Sequence, residues 1–436
     1  MALCASAQEE KNFLSVSSSI LELFNSKQWD KLIATGENAL DNGMDDFYLR
    51  LRIGIAYYNK GEYISAANQF ENALSFNSAD ESALEYLYYS YVFSNRAAQA
   101  NHLQGQMTEN LRARLKISGP KFFDSLYAEG GTITGNSTTQ DGTVGSRAAP
   151  ASYGEFDRQS DLTYCYAGFR NWIGNNISLY YGYSGTSQNV TKQIFSFHSF
   201  ASENYVINQA QYYVSPSWQV GRNTRITAAY NSINESFTTM GAQYNPGTDQ
   251  YVFTSISSTT QLNDYVEFLS ISQDLGLWTG SLFGSYSQFG GHKQNQQGLE
   301  LVFFPSGNND VYLNGTLTKF SETDNPVSGS RVIYDQVIGI KLAKFLWVEG
   351  DATFGRLRNY NEKNAFVVYN LGDDIKSKTE VALLFYFGAV DLSLRFQYFD
   401  KEASYEIDND NKAVGTKIRT ADYKAESIIG GFKWNF

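Results

Sequence analysis

At about Lys121 the apolar period of this chain changes from that of a helix to two, and it stays at two as far as Phe436. Val390, Leu392, Leu394, Phe396 and Tyr398 alternate with Asp391, Ser393, Arg395 and Gln397. Ile177, Leu179, Tyr181 and Tyr183 alternate with Ser178, Tyr180, Gly182 and Ser184, and Val381, Leu383, Phe385 and Phe387 with Glu380, Ala382 and Leu384. Only 18% of the residues are charged and 15% are aromatic, so half of each strand faces something other than water. The longest uncharged apolar run, Val381 to Val390, is far short of the roughly 20 residues of a membrane helix. What remains is a sheet with one apolar and one polar face, either a soluble sandwich or a barrel in lipid.

Three features favour the barrel. The chain ends IIGGFKWNF, with Phe432, Trp434 and Phe436 on one strand face beside Gly431. This terminus resembles the signal by which the barrel-assembly machinery takes up outer-membrane proteins, with Ile429 departing from the usual polar residue. About 14 strands fit, near 121–131, 162–171, 177–187, 204–216, 224–236, 262–274, 277–290, 297–305, 309–321, 331–343, 346–358, 378–388, 390–402 and 423–436. Short connections such as Gly174-Asn175-Asn176, Leu275-Gly276-Leu277 and Gly388-Ala389 alternate with long ones such as Thr132 to Asp161, Phe237 to Gln261 and Ala403 to Asp422. Finally, Trp172, Trp218, Trp278, Trp347 and Trp434 all lie at predicted short-turn ends, which reads as one interfacial aromatic belt. An even strand count puts both barrel termini on that rim, next to the segment before the barrel.

That segment, residues 8–117, has a helical period. Phe47 to Asp80 forms a unit of 34 residues without a gap, in which Gly54, Tyr57, Gly61, Tyr63, Ala66, Phe70 and Ala73 match a tetratricopeptide repeat. Gly54 and Ala66 permit close approach of two antiparallel helices, and Tyr57, Phe70 and Ala73 fill the seam to the next pair. Phe13 to Asp46 fits the frame more loosely, with Gly36 where an aromatic is usual. The segment from Glu81 carries Tyr88 and Tyr91 in phase and ends in a polar helix, Ala100 to Lys116, as a cap. The segment thus resembles a short tetratricopeptide array, which implies a concave face for a protein or peptide. Arg50, Tyr58 and Asn59 on the first helix of the central unit are the candidate contacts.

The opening Ala5-Ser6-Ala7 has the A-x-A pattern that ends an export signal, so residues 1–7 are expected to be its remnant. A net charge of −11 argues against nucleic acid as a partner. His102, His198 and His292 have no ligand at metal spacing, and no nucleophile or phosphate-loop motif occurs, so no enzyme, metal or cofactor is expected. Cys165 has the opposite parity to Leu162, Tyr164 and Tyr166 and is expected in the lumen. By the same parity Asp335, Lys341, Glu349, Asp351, Glu380, Asp391, Arg395 and Lys433 point into the lumen, as a self-paired network or as a polar track for something in transit. The outer run TDQYVFTSISSTT is a candidate for folding inward as a plug.

The whole plan, a short tetratricopeptide-like α-solenoid followed by an antiparallel transmembrane β-barrel at 118–436, is similar to the surface-lipoprotein assembly modulators. It also resembles the outer-membrane exporters of poly-N-acetylglucosamine and cellulose. The resemblance implies an integral outer-membrane protein with its helices in the periplasm, touching outer-membrane lipid, the assembly machinery and a periplasmic client or partner. The alternative is a closed anchor serving as a scaffold or surface-binding module.

Overall fold

The computed structural model describes residues 2–135, 153–196, 200–248, 250–323, 329–408 and 417–436. Its first part is a run of antiparallel helices, α1 (Ala2–Asn25), α2 (Trp29–Asp41), α3 (Phe47–Lys60), α4 (Tyr63–Phe76), α5 (Glu81–Phe93), α6 (Ala97–Gln104) and α7 (Glu109–Arg114). Short polar residues start α3, α5 and α7. The Asp46 carboxylate accepts from the Tyr48 and Leu49 amides, and Asp80 accepts from the Ala83 amide at 2.8 Å. Ile53, Phe70, Leu87 and Tyr91 fill the core between the helices. Gly54 faces the Phe70 ring so closely that a methyl there would lie 2.6 Å from Phe70 Cε1. Gly36 meets Ile53 in the same manner, which is why an aromatic does not fit there. Ala5-Ser6-Ala7 lies within the backbone of α1, and the side chains of residues 1–13 lie outside the described residues. The expected cap helix is two helices, because the chain breaks at Gly105 and Thr108 starts α7 by accepting from the Leu111 amide at 3.2 Å.

The second part is β1 (Phe123–Gly135), β2 (Tyr153–Ile173), β3 (Ile177–Ser196), β4 (Phe200–Gln219), β5 (Thr224–Asn245), β6 (Gln250–Leu275), β7 (Trp278–Phe289), β8 (His292–Phe303), β9 (Val311–Thr323), β10 (Ser330–Ala343), β11 (Leu346–Phe354), β12 (Tyr360–Glu362), β13 (Val367–Tyr369), β14 (Asp374–Tyr386), β15 (Val390–Asp408) and β16 (Lys417–Asn435). Fourteen of these close into an antiparallel barrel of sequential neighbours. The exceptions are β12 and β13, which form a separate hairpin between β11 and β14. The seam is β1 on β16, paired from Ser125↔Asn435 to Gly135↔Ala425.

The barrel wall is turned inside out relative to a soluble sandwich. Leu269, Ile271, Leu282, Leu317, Ile338, Val381, Leu392, Phe396 and Ile428 stand exposed on the outside. Gln294, Asn231, Asp351, Glu380 and Lys378 are buried on the inside. A continuous apolar outer surface over a polar interior is the signature of a barrel in lipid. The strands from β2 to β6 run well past the roughly 9–11 residues that span a bilayer, and Asn208, Asn234 and Asn263 are exposed on their outer face there. At the end of this extension Tyr405–Asp408 of β15 pair with Tyr153–Phe156 of β2, so the β15–β16 hairpin bends across the mouth.

Several expectations are corrected. Cys165 is exposed outside the wall; the inner residues of β2 are Tyr164, whose hydroxyl donates to Glu129 at 2.6 Å, and Tyr166, whose ring meets Phe366 in the lumen. Of the five tryptophans on the rim, Trp218, Trp278 and Trp434 face outward, whereas Trp172 is buried with Nε1 on Asp124 and Trp347 donates inward to the Asn309 carbonyl. The connection expected from Phe237 to Gln261 is mostly strand, and the TDQYVFTSISSTT run lies largely in β6, so it is no plug.

Substituting Gly54→Val drives a branched side chain into Phe70, and overpacking of this kind costs about 1–3 kcal/mol. Thermal circular dichroism should show an earlier helical transition with the β signal unmoved.

Candidate functional site

The helical part sits on the short-turn rim. The Gly307 carbonyl accepts from the Ile64 amide at 2.8 Å, and Asn309 Nδ2 donates to the Ser94 carbonyl at 2.8 Å. Gln99 Nε2 donates to Asp274 at 2.6 Å, with Arg96 4.0 Å from the same carboxylate. His102 Nδ1 lies 2.9 Å from Asn176 Oδ1, and Arg222 donates to Gln106 at 3.0 Å. These contacts join α4, α6 and the turns beside them to the β2–β3, β4–β5, β6–β7 and β8–β9 turns. Glu71 of α4 is central to the interface, accepting from Tyr91 and from Asn223 of the β4–β5 turn, each at 2.7 Å. Burial pushes its carboxyl above the usual 4.5, and the two hydrogen bonds oppose that shift.

The lumen holds the segment 355–373, which carries the β12–β13 hairpin. Lys378 of β14, 1% exposed, reaches Glu362 of the hairpin at 2.9 Å and Asp351 of the wall at 3.5 Å. Tyr369 donates to the same Glu362 at 2.8 Å. Asn359 donates to Glu322 at 2.9 Å, Asn361 to Ser285 at 3.1 Å, and Gln209 donates to Asn370 at 3.0 Å. The turn runs through Lys363, Asn364 and Ala365 at φ 53°, 60° and 65°. The left-handed region costs a non-glycine residue roughly 1–2 kcal/mol, so the wall contacts hold the turn against its own preference. Above it, Leu357 and Tyr360 pack with Phe156, Phe320, Phe399 and Tyr405 under the bent-over mouth.

The predicted lumenal residues are placed as follows. Arg395 pairs with Glu129 at 2.9 Å and approaches Glu380 at 4.0 Å, and Glu380 accepts from Gln397 at 2.6 Å. Asp335 accepts from Thr353 at 2.6 Å, and Glu349 accepts from Tyr312. Lys341 pairs with Asp310 at 2.8 Å and Lys433 with Asp391 at 3.5 Å, both toward the short-turn rim. The residues thus form several local pairs, and Asp351 is linked to the hairpin through Lys378. Phe432 and Trp434 end β16 on its outer face, and Phe436, the residue after the strand, stacks on Trp434 at 5.8 Å.

In the helical part, Arg50 is engaged within the fold, paired with Asp45 at 2.7 Å and donating to Gln69 at 2.9 Å. Tyr58 joins a ring cluster with Tyr63, Tyr86 and Phe93, and burial pushes its phenol up to about 12. Asn59 is exposed, with its amide on the Ile55 carbonyl. His292 opens β8, and His198 lies outside the described residues. No group of three potential metal ligands occurs among the described residues.

Lys378, Glu362 and the hairpin were not singled out by the sequence. The available signal is NYNEKNAFVVYN, a short strand, an Asn-rich turn and a second short strand, in the connection between the expected 346–358 and 378–388 strands.

No family model matches this sequence, and no curated protein matches it. Several solved structures are similar to it at low identity. The toluene transporter TodX of P. putida is 7% identical with a TM-score of 0.46, over 72% of this chain and 90% of that one. A FadL homologue of Pseudomonas aeruginosa is 8% identical with a TM-score of 0.43, over 72% and 90%. The translocator domain of the autotransporter NalP from Neisseria meningitidis is 11% identical with a TM-score of 0.31, over 79% and 99%. Likenesses this distant carry no argument about what this lumen passes or binds.

Two outcomes follow from this geometry. The folded state holds the Glu71 proton more tightly than the unfolded chain, so its contribution is fully present below pH 4.5 and is lost as pH rises through the raised folded value. Glu71→Gln keeps the acceptor for Tyr91, and its amide N–H donates to Asn223 Oδ1, which has no partner among the described residues, once the Asn223 amide turns over to exchange Nδ2 for Oδ1. It should stabilise the docked helices by about 1 kcal/mol at pH 8 and much less at pH 4, measured by thermal melts at both values. Lys378→Met strands the Glu362 and Asp351 carboxylates, and breaking a buried pair costs about 3–5 kcal/mol. The urea midpoint of the heat-modifiable band should fall, and adding Glu362→Leu should restore part of the loss.

Proposed function

We propose that this protein is an outer-membrane conduit whose lumen is held shut by the 355–373 hairpin, and whose periplasmic helices recruit a client or partner for delivery to or across the membrane. The observation that carries the proposal is how the lumen is filled. The obstruction is one continuous segment of the chain, tied to the wall by hydrogen bonds, the buried Lys378 and the rings around Phe366, with Leu357 and Tyr360 packed in the apolar cluster at the mouth. A passenger's polar groups can take over the hydrogen bonds and its apolar groups the ring contacts, whereas a lumen packed by its own wall side chains has nothing to withdraw.

The orientation rests on the short-turn rim. Both barrel ends and the helical part meet there, and short turns face the periplasm in bacterial barrels of this kind. On the side of α3 and α5, Tyr58 stands near Phe93, which is 52% exposed, and this tetratricopeptide-like face, with the exposed Asn59 of α3, is the proposed client surface. Arg50 contributes by holding the α2–α3 turn. The closed-anchor reading draws on the apolar cluster at the mouth, where Phe156, Tyr405 and Leu357 pack as a core does.

Planar-bilayer recording separates the two. The full chain should give small, infrequent conductance steps, and a variant with residues 358–370 replaced by a short Gly-Ser link should open large, steady ones. Lys378→Met should lie between. A hairpin-deleted barrel that still shows heat-modifiable migration but never conducts would establish the anchor.

A further inference from the structure

The tip of the lumenal hairpin meets the wall as a bound ligand would. Phe366 enters a cage of Tyr166, Tyr180 and Tyr213, with ring centroids 4.7, 6.4 and 5.3 Å away. Tyr166 and Tyr213 meet it edge to face, at 82° and 86°. Beside the ring, Tyr213 Oη donates to the Asn364 carbonyl at 2.9 Å, and Asn231 Nδ2 donates to the Ala365 carbonyl at 3.0 Å. Three adjacent wall strands supply the rings, and β5 supplies the second donor.

The wall shapes this cage without help from the hairpin. The Tyr166 hydroxyl rests over Gly168 and Gly182, and a methyl at either glycine would collide with it. Tyr180 and Tyr213 stand edge to face with each other at 6.1 Å. The occupant, in contrast, is the part of the hairpin in its least favoured backbone conformation. A pre-formed site filled by a strained segment of the same chain favours exchange with an unstrained ligand.

We infer that the Tyr166–Tyr180–Tyr213 cage is a binding site for an aromatic ring flanked by carbonyl groups, occupied in cis by Asn364-Ala365-Phe366 and open to a ligand of the same chemistry supplied in trans. Small aromatic amides and an aromatic-bearing stretch of a client polypeptide share that chemistry. The inference deepens the conduit reading and rests on it for what binding accomplishes, while occupancy of the site is measured without conduction.

The test uses the full chain in detergent micelles, with N-acetyl-L-phenylalaninamide and the pentapeptide Lys-Asn-Ala-Phe-Val as probes, followed by ligand-observed NMR titration. Phe366→Ala empties the cage and should bind the amide about tenfold more tightly than the unaltered protein. Adding Tyr213→Phe keeps the rings, removes one donor and should give back about fivefold. Lys378→Met loosens the hairpin without touching the cage and should also tighten binding, which keeps the test decisive if Phe366→Ala does not fold. Binding of the amide alone identifies small molecules as the source, and binding of both probes identifies a polypeptide. Equal affinity, or no binding, in unaltered, Phe366→Ala and Lys378→Met proteins that all keep heat-modifiable migration overturns the site. Tighter binding without any conductance would keep the site and remove the conduit.

Discussion

In hydrocarbon every backbone N–H and C=O must find its partner within the same sheet, and the pairing of β1 with β16 is where this chain meets that demand. Once the seam is closed, each residue of the wall has one of two addresses. The apolar ones go to lipid and the polar ones go to the lumen, and short turns collect at the rim where the first strand enters and the last one ends. The helical part is tethered to that rim by its position in the chain. Its contacts there are almost all polar, through Gln99, Arg96, His102 and Glu71, so the two parts are joined by a polar interface and not by a shared core.

Closing a barrel of this size creates a second problem, because the lumen is too wide for wall side chains alone to fill it. The chain answers with residues 355–373. Lys378 is the clearest consequence. A lysine this buried persists only where opposite charges surround it, and Glu362 and Asp351 do so from the hairpin and the wall. The pair therefore specifies which segment lies in the lumen more than it adds stability. The aromatic cage works alongside it, converting apolar burial of Phe366 into a defined depth of insertion.

The strand pattern was open to reading because each face of a lipid-exposed strand has a single environment. All fourteen expected wall strands correspond to observed ones, and parity alone placed Arg395, Glu380 and Lys433 beside polar partners. Tyrosine is where parity misled. On β2, Tyr164 and Tyr166 resemble lipid-facing residues in a hydropathy pattern, yet Tyr164 donates to Glu129 and Tyr166 lines the cage, which turns Cys165 outward. Trp172 and Trp347 misled for the same reason, since an indole N–H is satisfied as well by Asp124 or the Asn309 carbonyl as by an interface. The hairpin was hidden for a different reason. A lumenal segment borders neither lipid nor bulk water, so neither period describes it, and its lysine partner lies sixteen residues away on another strand.

The occupied lumen is tested most directly by the reactivity of a thiol at the hairpin tip. In a Cys4→Ala, Cys165→Ala background, Ala365→Cys places a sulfhydryl at a fully buried position beside Asn231, and Asn59→Cys supplies an exposed reference. A plugged lumen predicts that a bulky hydrophilic maleimide labels position 365 orders of magnitude more slowly than position 59, and that Lys378→Met narrows the gap. Labelling of both positions at the same rate in folded protein would contradict it.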